Sequence, residues 1–172
     1  NKEIVVGVVG LGYVGLPLAV EKAKAGFQTI GFDVQNEKVD MINAGKNYIG
    51  DVVDDDLSDL VKNGMLSATT DFSFIKDVDF VAICVPTPLD THQQPDISYV
   101  KASSEAISKH LRKGTMVVLE SSTYPGTTEE LVRPILEEGS GLVCGTDFYL
   151  GFSPERVDPG NACLLYTSPS PR

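Results

Sequence analysis

A glycine pattern at one boundary limits this chain more than anything else in it. Gly10-Leu11-Gly12-Tyr13-Val14-Gly15 follows the apolar, β-branched run Ile4–Val9 and opens the amphipathic stretch Val14–Ala25. A G-x-G-x-x-G spacing between a strand and a helix predicts a tight strand–turn–helix unit that cradles phosphate. Gly10 allows the sharp turn. Gly12 lets the backbone approach a pyrophosphate because no Cβ stands in the way. Gly15 lets helix and strand pack closely. The helix N-terminus then offers unpaired N–H groups and the positive end of its dipole. Asp33 ends the next β-branched run, where a carboxylate accepts hydrogen bonds from both ribose hydroxyls and repels a 2′-phosphate. Val34, Gln35 and Asn36 follow, with no Arg to receive such a phosphate, so NAD is favoured over NADP. The competing reading is a glycine-rich turn with a helix-capping Asp.

The rest of the chain repeats the same alternation. Thr29–Asp33, Val78–Val85, Met116–Glu120 and Phe148–Phe152 read as strands. Glu37–Ala44, Asp54–Lys62, Ser98–Leu111 and Thr127–Glu138 read as helices, and Gly26 stops the first one. Pro17 falls in a first turn, where a missing N–H costs little. Alternating β and α segments predict an α/β fold: a Rossmann-like doubly wound parallel sheet with helices on both faces. One domain is expected, over residues 1–162.

Composition removes several classes. With 42% apolar and 22% charged residues the chain reads as an ordinary globular protein. A net charge of −10 argues against a nucleic-acid surface, which needs clustered Lys and Arg. No apolar run approaches the ~20 residues of a membrane helix, and no basic-then-apolar leader opens the chain. Cys84, Cys144 and Cys163 show neither disulfide nor zinc spacing. Asp54-Asp55-Asp56 fits a helix N-terminus better than a cation site, so no metal is expected. His92 and His110 read as solvated or capping residues. The last ten residues, Cys163 to Arg172, share no periodicity with what precedes them. As codons they match the transposase adapter of sequencing libraries followed by its primer site. Residues 163–172 are therefore expected to be translated adapter rather than native protein, with the natural chain continuing past Ala162.

In a doubly wound sheet, ligands bind beyond the C-terminal strand ends. Three polar segments lie there. Val85-Pro86-Thr87-Pro88 is a rigid turn with one hydroxyl. Ser121-Ser122-Thr123-Tyr124-Pro125-Gly126-Thr127-Thr128 opens a helix, and hydroxyl capping accounts for Thr127 or Thr128 better than for Thr123. Ser153-Pro154-Glu155-Arg156 follows the last strand. Glu155 is either a general acid/base or a surface ion-pair partner of Arg156.

Taken together, these segments resemble the UDP-glucose/GDP-mannose dehydrogenase family. The stretches that carry the likeness are Gly7–Ala19, Cys84–Leu89, Glu120–Thr128 and Ser153–Asn161. The form Ser153-Pro154-Glu155-Arg156-Val157-Asp158-Pro159-Gly160 is similar to the UDP-N-acetylglucosamine and UDP-N-acetylmannosamine 6-dehydrogenase branch. Thr87-Pro88-Leu89 with Pro95-Asp96-Ile97-Ser98 resembles the UDP-N-acetylglucosamine enzymes. The resemblance implies a cytoplasmic, NAD-dependent oxidoreductase that converts a UDP-N-acetylhexosamine to its uronic acid with two NAD. A cysteine thiolate would carry the sugar as thiohemiacetal and then thioester. It implies a homo-oligomer built through a central helical region, with a second α/β domain for the UDP-sugar. It implies catalytic roles for Thr123, holding a water, and for Glu155, assisting thioester hydrolysis. The implied cofactor set is Gly10, Gly12, Tyr13, Val14, Gly15, Asp33, Val85, Pro86, Thr87, Ser122 and Thr123. The family's nucleophilic Cys has no counterpart among Cys84, Cys144 and Cys163, so this chain is expected to carry the cofactor half alone and to be inactive by itself. The alternatives are a UDP-glucose or GDP-mannose 6-dehydrogenase of the same family, or an NAD-binding module without chemistry.

Overall fold

The computed structural model describes residues 4–50, 52–88 and 95–154. Six short strands form one parallel sheet: β1 (Val5–Val9), β2 (Gln28–Phe32), β3 (Leu66–Thr69), β4 (Phe80–Ile83), β5 (Met116–Leu119) and β6 (Tyr149–Phe152). Their order across the sheet is β3-β2-β1-β4-β5-β6, with every neighbouring pair parallel. The direction of winding reverses between β1 and β4, and a crevice opens at such a switch point.

The side-chain period of two divides β1 between two cores. Val6 and Val8 pack with Leu16, Ala19, Val20 and Ala23 of α1 (Gly15–Lys24). Val39 and Ile42 of α2 (Asn36–Asn43) and Leu57 of α3 (Asp54–Lys62) complete that layer. Val9 packs on the opposite face with Val100 and Ile107 of α4 (Ser98–Ser108) and Leu136 of α5 (Arg133–Ser140). Helices therefore cover both faces, as the alternating pattern predicts.

Local chemistry sets the ends. Gly26 has φ +92°, its N–H bonds to Ala23 O and that of Phe27 to Lys22 O, closing α1 as a Schellman turn. Asp54, Asp55 and Asp56 occupy the first turn of α3, as their charge favours, and Asp56 pairs with Lys24 at 2.6 Å.

Two expectations need correction, and one strand was not expected. Strand β3 is absent from the sequence reading; Leu66-Ser67-Ala68-Thr69 is short and half polar, and Asn43 pins it by exchanging hydrogen bonds with both backbone groups of Ala68 at 2.8 and 2.9 Å. The helix expected over Thr127–Glu138 has wide π-type turns from Thr127 to Val132 before α5 begins. Pro134 has no N–H to return to Glu130, which interrupts the regular ladder there. The Thr127 hydroxyl does not cap that helix; it donates backwards to Tyr124 O at 2.8 Å, and the N-cap position is Gly126 in the left-handed region.

Candidate cofactor site

A cleft of about 680 Å³ opens beyond the C-terminal ends of β1, β2, β4 and β5. Its floor is the turn between β1 and α1. Gly10 holds φ +90°, and a Cβ there would stand 2.8 Å from the carbonyl oxygen of Cys84. Its N–H donates to Phe32 O at 2.8 Å, tying the turn to β2. A Cβ on Gly15 would collide with the carbonyl of Gly10, so this glycine is what lets α1 start directly over the turn.

Gly12 is different. A Cβ built there meets nothing within 4 Å, and the residue borders the cleft. Nothing in the protein's own packing asks for glycine at that position. What a side chain would obstruct is the open space above it, where the N-terminus of α1 can approach a phosphate. That is the fit expected of a pyrophosphate cradle.

Asp33 stands at the end of β2, 7% exposed. Its Oδ2 accepts from Leu11 N–H at 2.9 Å and its Oδ1 from Gln35 N–H at 3.0 Å. Each carboxylate oxygen has a second lone pair, so both bonds leave room for ribose hydroxyls. The carboxylate therefore fixes the glycine turn as well as facing the cleft.

On the other side of the switch point, Val85, Pro86 and Thr87 meet Ser122. The Thr87 hydroxyl donates to Ser122 O at 2.6 Å. The Ser121 hydroxyl is buried and donates to Val85 O at 2.9 Å, joining the two strand ends. Cys84 packs in the core below, as its apolar run predicts, and its thiol also lies 3.8 Å from Glu120 Oε2 at the cleft wall.

The structure thus brings Gly10, Gly12, Tyr13, Val14, Asp33, Val85, Pro86, Thr87 and Ser122 to one cleft. Gly15 supports the turn from beneath without bordering the cleft. Thr123 is half-buried just after Ser122 and does not border it either. Glu155, His92 and residues 163–172 lie outside the described residues. Among the described residues no group of three or more His, Cys, Asp or Glu could hold a metal ion, and no helix is long and apolar enough to cross a membrane.

Two cleft residues have no motif to announce them. Tyr48 reaches back to donate its hydroxyl to Leu11 O at 2.6 Å. Burial, helped by the Asp33 carboxylate, pushes its pKa well above that of an ordinary phenol. Lys38, in the first turn of α2, brings Nζ within 3.8 Å of Asp33 Oδ2.

Comparison with known proteins agrees with this geometry. The chain is 42% identical over 160 residues to the UDP-N-acetyl-D-glucosamine 6-dehydrogenase of Pseudomonas aeruginosa, covering 93% of this chain and 37% of that protein. It is also 42% identical over 162 residues to the UDP-N-acetyl-D-mannosamine dehydrogenase of Campylobacter jejuni, covering 89% of this chain and 39% of that one. Among solved structures, GDP-mannose dehydrogenase from Pseudomonas aeruginosa superimposes with a TM-score of 0.88 at 34% identity, over 95% of this chain and 39% of the other. The chain thus spans well under half the length of these relatives. Residues 4–169 match the profile of the UDP-glucose/GDP-mannose dehydrogenase family, NAD binding domain. The glycine turn, the Asp33 anchor and the two joined strand ends are those of an NAD-binding domain, and the chain belongs to the UDP-glucose/GDP-mannose dehydrogenase family.

Proposed function

We propose that this chain is the cofactor half of an enzyme that oxidises the primary alcohol of a UDP-N-acetylhexosamine to a carboxylate, with UDP-N-acetylglucosamine the first substrate to test. The observation that carries the reading is the open space over Gly12, aligned with Asp33 on one side and the Thr87–Ser122 contact on the other. NAD bound there supplies the hydride acceptor. The chain's own residues bind and orient it: the α1 N-terminus takes the pyrophosphate, Asp33 takes the adenosine ribose, and Val85 to Thr87 with Ser122 border the nicotinamide end. Thr123 and Glu155 are the proposed catalytic contributors from this half, through a held water and through acid–base assistance.

Relatives named for N-acetylated UDP-sugars reach 42% identity over most of this chain, which favours the N-acetylhexosamine class. The same identity to a glucosamine and a mannosamine enzyme leaves the epimer to experiment. The nucleophilic cysteine and most of the sugar site are proposed to lie in a region corresponding to the rest of those relatives. A cytoplasmic homo-oligomer is the proposed working form of the whole enzyme.

The test is an assay of the intact gene product with NAD and a panel of UDP-N-acetylglucosamine, UDP-N-acetylmannosamine, UDP-glucose and GDP-mannose. Two NADH formed per N-acetylhexosamine, with slower turnover of the others, is the expected result. A preference for UDP-glucose or GDP-mannose would overturn the substrate class. No turnover of any sugar by a folded, NAD-binding protein would overturn the enzymatic reading.

A further inference from the structure

The sequence after Asp33 offers no arginine for a 2′-phosphate, yet the fold supplies a cation there. Lys38 lies in the first turn of α2, and its Nζ is 3.8 Å from Asp33 Oδ2. Both side chains border the cleft, Asp33 nearly buried and Lys38 about a third exposed. The carboxylate that receives the ribose hydroxyls marks where a 2′-phosphate would have to sit. An ammonium at ion-pair distance from that carboxylate is within reach of the same place, and lysine is a competent phosphate partner.

We propose that Lys38 is a latent 2′-phosphate ligand, masked by Asp33, so that the preference for NAD over NADP rests on the Asp33 carboxylate alone. With Asp33 ionised, Lys38 is neutralised by its neighbour and the incoming phosphate meets a negative charge first. With that charge removed, the same lysine faces the phosphate uncompensated. The inference rests on the assignment of this cleft to a dinucleotide.

Asp33 also holds the glycine turn through Leu11 N–H, so substitutions there weaken all nucleotides to some degree. The ratio of NADP to NAD affinity is the readout, because loosening of the turn moves both alike. Calorimetric titration of the chain with each cofactor is expected to show a strong NAD preference in the parent. Asp33→Asn is expected to move the ratio at least about tenfold towards NADP, the effect of one charge-assisted hydrogen bond gained and one repulsion lost. Asp33→Ser serves as a second variant, with a smaller side chain and no charge. Adding Lys38→Met to either is expected to return most of the shift, and rising salt is expected to weaken NADP binding by the single variants more than by the double ones. A double variant that keeps the full shift overturns the proposal, as does a single variant whose ratio does not move while NAD still binds. Failure of the folded parent chain to bind either nucleotide overturns the cleft assignment, and this proposal with it.

Discussion

The hydroxyl of Tyr48 donates a 2.6 Å hydrogen bond to the carbonyl of Leu11, whose own N–H donates to Asp33 at 2.9 Å. One residue of the glycine turn is therefore held through both of its backbone groups, from two different segments. Removing the phenol oxygen leaves a carbonyl without its partner. Tyr48→Phe is expected to cost about 1 kcal/mol of stability and to weaken NAD binding. The pH dependence has a definite sign. A phenol whose folded pKa is raised contributes stability that is fully present below its ordinary value of 10.0 and is lost as pH rises above it. Thermal melts of the parent should fall more steeply above about pH 10 than those of Tyr48→Phe. Parallel alkaline curves would show that the hydroxyl does not carry this linkage.

Gly12 and Gly15 separate binding from folding. A Cβ at Gly12 meets no protein atom within 4 Å, whereas one at Gly15 strikes the Gly10 carbonyl. Gly12→Ala should therefore leave the melting temperature within a few degrees of the parent, roughly what 1 kcal/mol moves in a domain of this size, while NAD affinity drops at least about tenfold. Gly15→Ala should unfold the domain or destabilise it by about 3 kcal/mol, the upper range for overpacking. A Gly12→Ala chain that binds NAD normally would show that the pyrophosphate does not approach there.

The same contrast explains what could be read from the amino acids beforehand. The glycine turn and Asp33 were legible because their chemistry is local: backbone freedom and a strand end. The strands rich in Val and Ile were legible because burial on both faces demands apolar residues. Strand β3 was not, since Leu66 and Ala68 alone face the core and the remaining anchorage comes from Asn43, distant in sequence. Tyr48 and Lys38 were not, because their importance comes from where a loop and a helix turn bring them, and no spacing rule encodes that. Gly139 was invisible for the same reason: its neighbour Ser108 lies on a different helix.

Asp147 gives the domain an acid-sensitive contact away from the cleft. Lys113 Nζ lies 3.0 Å from its Oδ1, and Val143 N–H donates to its Oδ2 at 3.0 Å. The Lys113 ammonium first, and then that N–H, hold its pKa below the ordinary 3.8. A lowered carboxylate contributes stability that is present above its unfolded pKa and is lost as pH falls through the folded one. Melts of Asp147→Asn against the parent should therefore differ at neutral pH and converge as the pH falls progressively below 3.8. A difference that persists unchanged into strong acid would place the effect of the substitution outside this ionisation.

Gly139 lies within α5 with Ser108 of α4 against it; a Cβ there would overlap both Oγ and Cβ of that serine. Helix propensity alone would make Gly139→Ala stabilising by roughly 1 kcal/mol. Overpacking two helices costs about 1–3 kcal/mol, so contact and propensity oppose each other and the structure favours the contact. Gly139→Ala is expected to lower the denaturation midpoint in the parent. In a Ser108→Gly background, where the colliding atoms are gone, the same change should be neutral or stabilising. A double-mutant cycle by chemical denaturation measures the difference directly. If Gly139→Ala stabilises both backgrounds equally, Ser108 does not stand against Gly139 and the two helices are not in close contact there.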